Sequence, residues 1–128
     1  MDVMAELQGI GGLVRASDFP TALERLWELW AEIPVPRTET PNAYLIIEYG
    51  VSCALKIGDF DQAQKWAALA PQFATVRHDM GEVEFLQGKV AFERGDHATA
   101  RECFKVANAK SEGRAFEGED ERYRRLIA

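Results

Sequence analysis

The chain carries the segment Gly58-Asp59-Phe60-Asp61-Gln62-Ala63 and two variants of it, Ser17-Asp18-Phe19-Pro20-Thr21-Ala22 and Gly95-Asp96-His97-Ala98-Thr99-Ala100. In each copy a small residue precedes an aspartate, a ring follows it, and an alanine stands after two variable positions. The three aspartates lie 41 and then 37 residues apart. Self-similarity at such a period is typical of helical repeat proteins, so the copies predict one structural unit used three times.

Each copy predicts a tight turn between two helices. Glycine can take the positive φ that ends a helix, and the aspartate can accept hydrogen bonds from the free amides of the next helix. Apolar residues then recur at offsets of three and four, as in Ala63, Trp66, Ala67 and Ala70, which places them on one helix face. Ser17 replaces the glycine in the first copy, so we expect that turn to be less regular.

A partner helix is predicted before each copy, at residues 3–15, 41–57 and 80–94. We expect the first of these to fray or to be partly irregular, because Gly9, Gly11 and Gly12 lower its helix propensity. The prolines of the segment 33–41 predict a linker, after which Thr40-Pro41 is expected to cap and start a helix. Pro71 predicts a second break, followed by a helical turn within 72–79.

The predicted fold class is therefore all-α, with antiparallel helical hairpins stacked in a single domain over 1–128. The hairpins are expected at about 3–32, 41–70 and 80–110, and a cap at about 111–128. Gly113 and Gly118 should break the last long helix, and a short closing helix is expected at 119–127. A repeat array needs such a cap over its apolar end, and three residues are predicted to supply it: Phe116, Tyr123 and Leu126.

Charge and composition restrict the function. The 15 lysines and arginines against 21 aspartates and glutamates give a net charge of −6, which argues against nucleic acid or an anionic membrane surface as partner. The two cysteines are too few for a disulfide scaffold, and the acidic start Met1-Asp2 is unlike a secretory signal. We therefore expect a soluble cytoplasmic protein, with its oligomeric state left open.

No motif predicts catalysis, a metal or a cofactor. His78 and His97 have no further ligand at zinc spacing, and His97 takes the ring position of the repeat, which favours packing. Cys53 and Cys103 stand at apolar helical positions and are interpreted as ordinary buried thiols. The remaining candidates are also better explained by structure: Trp27 and Trp30 by packing, and Asp59, Asp61 and Asp96 by turns and caps.

The third unit resembles the tetratricopeptide repeat, with small and aromatic residues at Gly88, Phe92, Gly95, Asp96, Ala100, Phe104 and Ala107. In the second unit Gly50 stands one residue early relative to its turn. The resemblance implies an extended groove lined by the first helix of each hairpin, which binds another protein. The residues that this implies for partner binding are Glu48, Ser52, Glu82, Phe85, Lys89 and Glu93.

The segment Lys110–Tyr123 resembles small tetratricopeptide-like immunity proteins encoded beside bacterial polymorphic toxins, which share its pattern of Lys-Ser, Gly-Arg, Phe, Gly-Glu-Asp and Tyr. The resemblance implies a protein that neutralises a cognate toxin domain by binding and occluding it. Arg114 could pair with a carboxylate of the cap or with one on the partner. The alternative function is a scaffold or secretion chaperone that uses the same groove.

Overall fold

The computed structural model describes residues 1–74 and 80–128, and in these ranges the chain is helix, turn and loop without a strand. The predicted all-α fold class is confirmed. Two compact units are present, an N-terminal unit of residues 1–73 and a C-terminal unit of residues 74–128. That the two make a single domain stays a prediction.

Four helices form the N-terminal unit: α1 (Val3–Arg15), α2 (Phe19–Glu32), α3 (Ala43–Lys56) and α4 (Phe60–Ala68). Each packs against the next along the chain, so the hairpin of α1 and α2 lies against the hairpin of α3 and α4. Short 3₁₀ helices follow α2 and α4 at Arg37–Glu39 and Ala70–Phe73. The second of these includes the predicted break at Pro71, and the rest of the turn expected there lies largely outside the described residues.

The C-terminal unit is one hairpin with a closing segment. It consists of α5 (Glu82–Glu93), α6 (His97–Ser111), a 3₁₀ turn at Arg114–Phe116 and α7 (Glu121–Arg125). Gly113 and Gly118 have positive φ and end the helical path, as predicted. The closing helix is shorter than the predicted 119–127. It starts later because Asp120 caps it by accepting a hydrogen bond from the backbone N–H of Arg122 at 2.9 Å, and it ends at Arg125.

The three repeated turns have one geometry. In each, the aspartate N–H donates to a carbonyl five residues earlier at 2.9 Å, and the aspartate side chain accepts a hydrogen bond from the N–H three residues later. Ser17 has φ 59°, close to the 71° of Gly58 and in the same left-handed region as Gly95. The prediction of a less regular first turn was therefore wrong. Ser17 takes the same left-handed conformation, although only glycine can adopt it without steric cost.

Two further expectations about the helices differ from the structure. α1 is one regular helix through its glycines, because Val3, Leu7 and Ile10 are buried and packing against α2 compensates for weak propensity, so the expected irregularity is absent. Thr40-Pro41 does not cap α3. The residue before this helix is Asn42, which has a left-handed conformation with φ 67° and makes no side-chain cap hydrogen bond.

Aromatic side chains form the core of each unit. In the N-terminal unit Trp66 is fully buried, stacks on Trp27 with ring centroids 3.6 Å apart, and meets Trp30 edge-on. In the C-terminal unit Phe104 is fully buried beside Phe85. These contacts confirm the predicted packing role of Trp27 and Trp30.

Candidate functional site

The face of α5 that was predicted to bind a partner lies beneath the chain's own C-terminal segment. Phe85 is only 7 % exposed and packs in one cluster with Phe104, Phe116 and Tyr123. Phe85 was predicted to contact a partner, and this is corrected: it is a core residue of the C-terminal unit. Phe116 and Tyr123 are buried in the same cluster and Leu126 packs against it, which confirms the predicted cap.

Two charged residues of α5 are held by the same closing segment. Lys89 forms an ion pair with Glu119 at 3.2 Å. Glu93 accepts a hydrogen bond from the Tyr123 hydroxyl at 2.9 Å and one from Arg122 at 3.4 Å. Burial, followed by the hydrogen bond to Glu93, raises the pKa of Tyr123 well above its usual range, so the phenol stays protonated. Lys89 and Glu93 therefore hold the cap in place.

The other predicted partner residues fall at separate places. Glu48 and Ser52 lie one turn apart on α3 of the N-terminal unit, half-buried and exposed respectively, and Glu82 is half-buried in the first turn of α5. Arg114 is exposed and donates to the backbone oxygen of Ser111 at 3.2 Å and to Glu112 at 3.3 Å. Arg114 thus pairs with a carboxylate of the closing segment, Glu112, which is the first of its two predicted alternatives. Its pairing with a carboxylate of a partner stays a prediction.

A groove that sequence reasoning missed lies between α2 and α4 in the N-terminal unit. It is open to solvent and has a volume of about 580 Å³. One wall comes from α2, with Pro20, Leu23, Glu24 and Trp27. The other comes from α4 and the turn before it, with Ile57, Asp59, Asp61, Gln62 and Lys65. The second helices of two hairpins form it, whereas the resemblance implied a groove lined by the first helices.

A chain of hydrogen bonds fixes the aromatic wall of this groove. The indole N–H of Trp27 donates to Gln62 Oε1 at 2.8 Å, and Gln62 Nε2 donates to Asp59 Oδ2 at 3.0 Å. The other oxygen of Asp59 accepts from the backbone N–H of Gln62 at 3.0 Å, which is the helix cap predicted from the sequence. The backbone and side-chain hydrogen bonds from Gln62 lower the pKa of Asp59, so its carboxylate stays charged at neutral pH.

The groove has an excess of negative charge. Glu24 and Asp61 are exposed and make no hydrogen bond or ion pair with any residue in 1–74 or 80–128. Lys65 is the one cation among the residues that line the groove. Offsets of three and four from Pro20 to Trp27 were the available signal, but the same spacing is typical of a buried face, and Trp27 was interpreted through packing alone.

The two cysteines and His97, the candidates for reactive residues, are placed in packing contacts. Cys53 is buried and Cys103 half-buried, and burial raises the pKa of both thiols. His97 is exposed and stacks on Phe92 with centroids 4.7 Å apart, in agreement with its predicted packing role. His78 lies outside the described residues. Over 1–74 and 80–128, no three side chains of the His, Cys, Asp and Glu types are grouped so that they could hold a metal ion.

No family model, curated protein or solved structure matches this chain. Within the described ranges, every helix is too short or too polar to cross a membrane. The chain is an all-α protein of packed helical hairpins, an architecture compatible with a tetratricopeptide-like fold.

Proposed function

We propose that this protein is a bacterial immunity-type inhibitor that binds a cognate toxin domain and occludes it. The observation that carries the proposal is the segment Lys110–Tyr123, in which the resemblance to immunity proteins resides. The residues of that pattern each have a definite task in the C-terminal unit. These contacts are compatible with the resemblance, because the matched residues belong to one folded segment.

The tasks follow the order of the pattern. Lys110 forms an ion pair with Glu84, and the Ser111 hydroxyl accepts a hydrogen bond from the N–H of Ala115 at 3.1 Å. Phe116 fills the core beside Phe85. Asp120 caps α7, and Tyr123 is bound to Glu93. The segment is thus a folded cap in which the polar residues fix the two aromatic ones.

Net charge supports a protein partner with a basic surface. The chain has a net charge of −6, and complementary charge steers association and raises its rate. We place the protein in the cytoplasm, where free thiols such as Cys53 and Cys103 stay reduced.

Co-expression with the product of the neighbouring gene tests the proposal. We expect that product to stop growth when it is expressed alone, and growth to return when this protein is co-expressed. The two should also co-purify as a complex with a fixed ratio. A neighbour that is harmless, or that does not bind, would remove the immunity function.

A second candidate function is a scaffold or secretion chaperone, and the helical-hairpin architecture favours it because such arrays commonly bind partner proteins or peptides. A chaperone should bind several partners or an extended peptide, whereas an immunity protein should bind one folded domain tightly. A pull-down with the purified chain, followed by the same assay with unfolded partner, distinguishes the two.

A further inference from the structure

We propose that the groove between α2 and α4 binds an arginine side chain on a basic segment of the partner protein. The guanidinium is placed against Trp27 and is paired with the carboxylates of Glu24 and Asp61. This inference rests on the proposed function for the existence of a protein partner, and it adds where that partner is bound and by what chemistry.

The free polar groups of the groove accept hydrogen bonds, so a ligand there has to be a hydrogen-bond donor. The indole N–H of Trp27 is already used by Gln62, and both polar atoms of the Gln62 amide are used within the groove. Glu24 and Asp61 have no partner among the described residues, and a carboxylate can only accept hydrogen bonds. Beside the one cation, Lys65, the groove therefore offers a ligand an aromatic surface and two free carboxylates.

Arginine matches this combination better than lysine. Its planar guanidinium stacks on aromatic rings, carries five donors and forms bidentate pairs with carboxylates, while an ammonium is a compact and strongly hydrated charge. The volume of about 580 Å³ lies within the usual range of ligand sites, so the groove has room for an arginine and adjacent residues of a segment.

The groove is formed before any partner binds. Trp27 is fixed by its stack on the fully buried Trp66 and by Gln62, which is itself held by the cap residue Asp59. A preorganised site loses less side-chain entropy on binding. The third repeat shows that this is no general property of the turn, since Ala98 and Thr99 stand where Asp61 and Gln62 stand in the second.

Peptide titration tests the inference directly. The probe is a blocked peptide of alternating glycine and arginine with three arginines, followed by the indole N–H signal of Trp27 in nuclear magnetic resonance spectra. We expect a saturable shift of that signal, weakened in a variant with Glu24→Gln and Asp61→Asn by roughly five- to tenfold. A matched variant with Glu32→Gln and Glu39→Gln, which removes the same charge outside the groove, should bind as the parent does.

Three outcomes would overturn the inference: no shift at Trp27, an equal loss of affinity in the matched control, or equally tight binding of the corresponding lysine peptide. A circular dichroism melt of each variant shows that the fold is intact before titration.

The cognate toxin separates this inference from the proposed function. If the toxin is neutralised but the variant with Glu24→Gln and Asp61→Asn binds it as tightly as the parent, the groove is excluded and the immunity function stands. If the arginine peptide binds in the groove but no toxin is neutralised, recognition of arginine stands and the immunity function does not.

Discussion

At the residue scale, a glycine faces an aromatic ring of the neighbouring helix in two of the three hairpins, and this lets the two helices lie close together. Gly50 of α3 faces the ring of Trp66 on α4, and Gly88 of α5 faces the ring of Phe104 on α6. Gly50 stands nine residues before its turn aspartate and Gly88 eight, while Trp66 follows its aspartate by seven residues and Phe104 by eight. Both residues of the second hairpin thus stand one position earlier in the sequence than their counterparts in the third, and the glycine still faces the ring.

We predict that Gly88→Ala destabilises the C-terminal unit. A Cβ there would lie 2.6 Å from Phe104 Cδ1, so the buried ring has to move, at a cost of about 1–3 kcal/mol in the free energy of unfolding. Gly9→Ala is the matched control, since nothing within 4 Å meets a Cβ at that position. The alanine there should stabilise α1 by up to about 1 kcal/mol. Urea denaturation of both variants measures the difference, and equal stability of the two would contradict the packing.

Acid should weaken the helix caps. Hydrogen bonds from residues two or three positions later lower the pKa of Asp59, Asp96 and Asp120 from the ordinary aspartate value. Because these values are lower in the folded state, the caps contribute fully above about pH 4, and the contribution is lost as pH falls through the folded pKa values.

We therefore predict that the urea midpoint of the parent falls between pH 5 and about pH 2. In Asp59→Asn the cap is kept by an uncharged side chain, so the fall should be shallower, whereas Asp59→Ala should be less stable at both values. A steeper fall in Asp59→Asn than in the parent would contradict the assigned role.

At the scale of the elements, the closing segment completes the C-terminal unit. A hairpin of α5 and α6 alone would expose Phe85 and Phe104, and Phe116 and Tyr123 cover them. The outer polar contacts, Lys89 with Glu119 and Glu93 with Tyr123, keep this segment on α5.

We predict that Phe116→Ala lowers the free energy of unfolding of the C-terminal unit by about 3–5 kcal/mol, because it leaves a cavity among aromatic rings. Val106→Ala serves as the control, since Val106 is 43 % exposed and its truncation should change stability by less than about 0.5 kcal/mol. Amide hydrogen exchange of α5 and α6 measures both. Unchanged protection in Phe116→Ala would show that the segment is not part of the core.

The sequence predicts the helices of this chain better than the surfaces between them. The aspartate caps, the break residues Gly113 and Gly118 and the capping role of Phe116 follow from local chemistry, and the structure has them there. The start of α3 does not follow from local chemistry. The residue before it, Asn42, is in a left-handed conformation, which depends on the path of the linker before the helix. Phe85 was assigned to a groove because repeat position alone does not reveal that a later segment covers it.

The α2–α4 groove was missed for a related reason. Trp27 at helical spacing indicates a buried face, and nothing in its spacing shows that one ring both packs on Trp66 and lines an open surface. Only the pairing of α2 with the hairpin of α3 and α4 brings Glu24 and Asp61 to one groove.

At the scale of the whole molecule, the proposed function depends on the net charge of the chain and on helical hairpins that are folded before a partner binds. The net charge is −6, and a cationic partner would be attracted from beyond contact distance. We predict that the association rate constant with the toxin falls by about tenfold or more between about 50 mM and about 500 mM NaCl, while the dissociation rate constant changes less. Stopped-flow fluorescence of the tryptophans follows both, and an association rate independent of salt would contradict electrostatic steering.

Isothermal titration calorimetry of the purified protein with the purified product of the neighbouring gene tests the proposed function most directly. The account predicts saturable binding at a fixed ratio, a dissociation constant in the nanomolar range at physiological salt, and loss of the toxin's activity at the same equivalence point. Absence of binding heat, or binding that leaves the activity of the toxin unchanged, would contradict it.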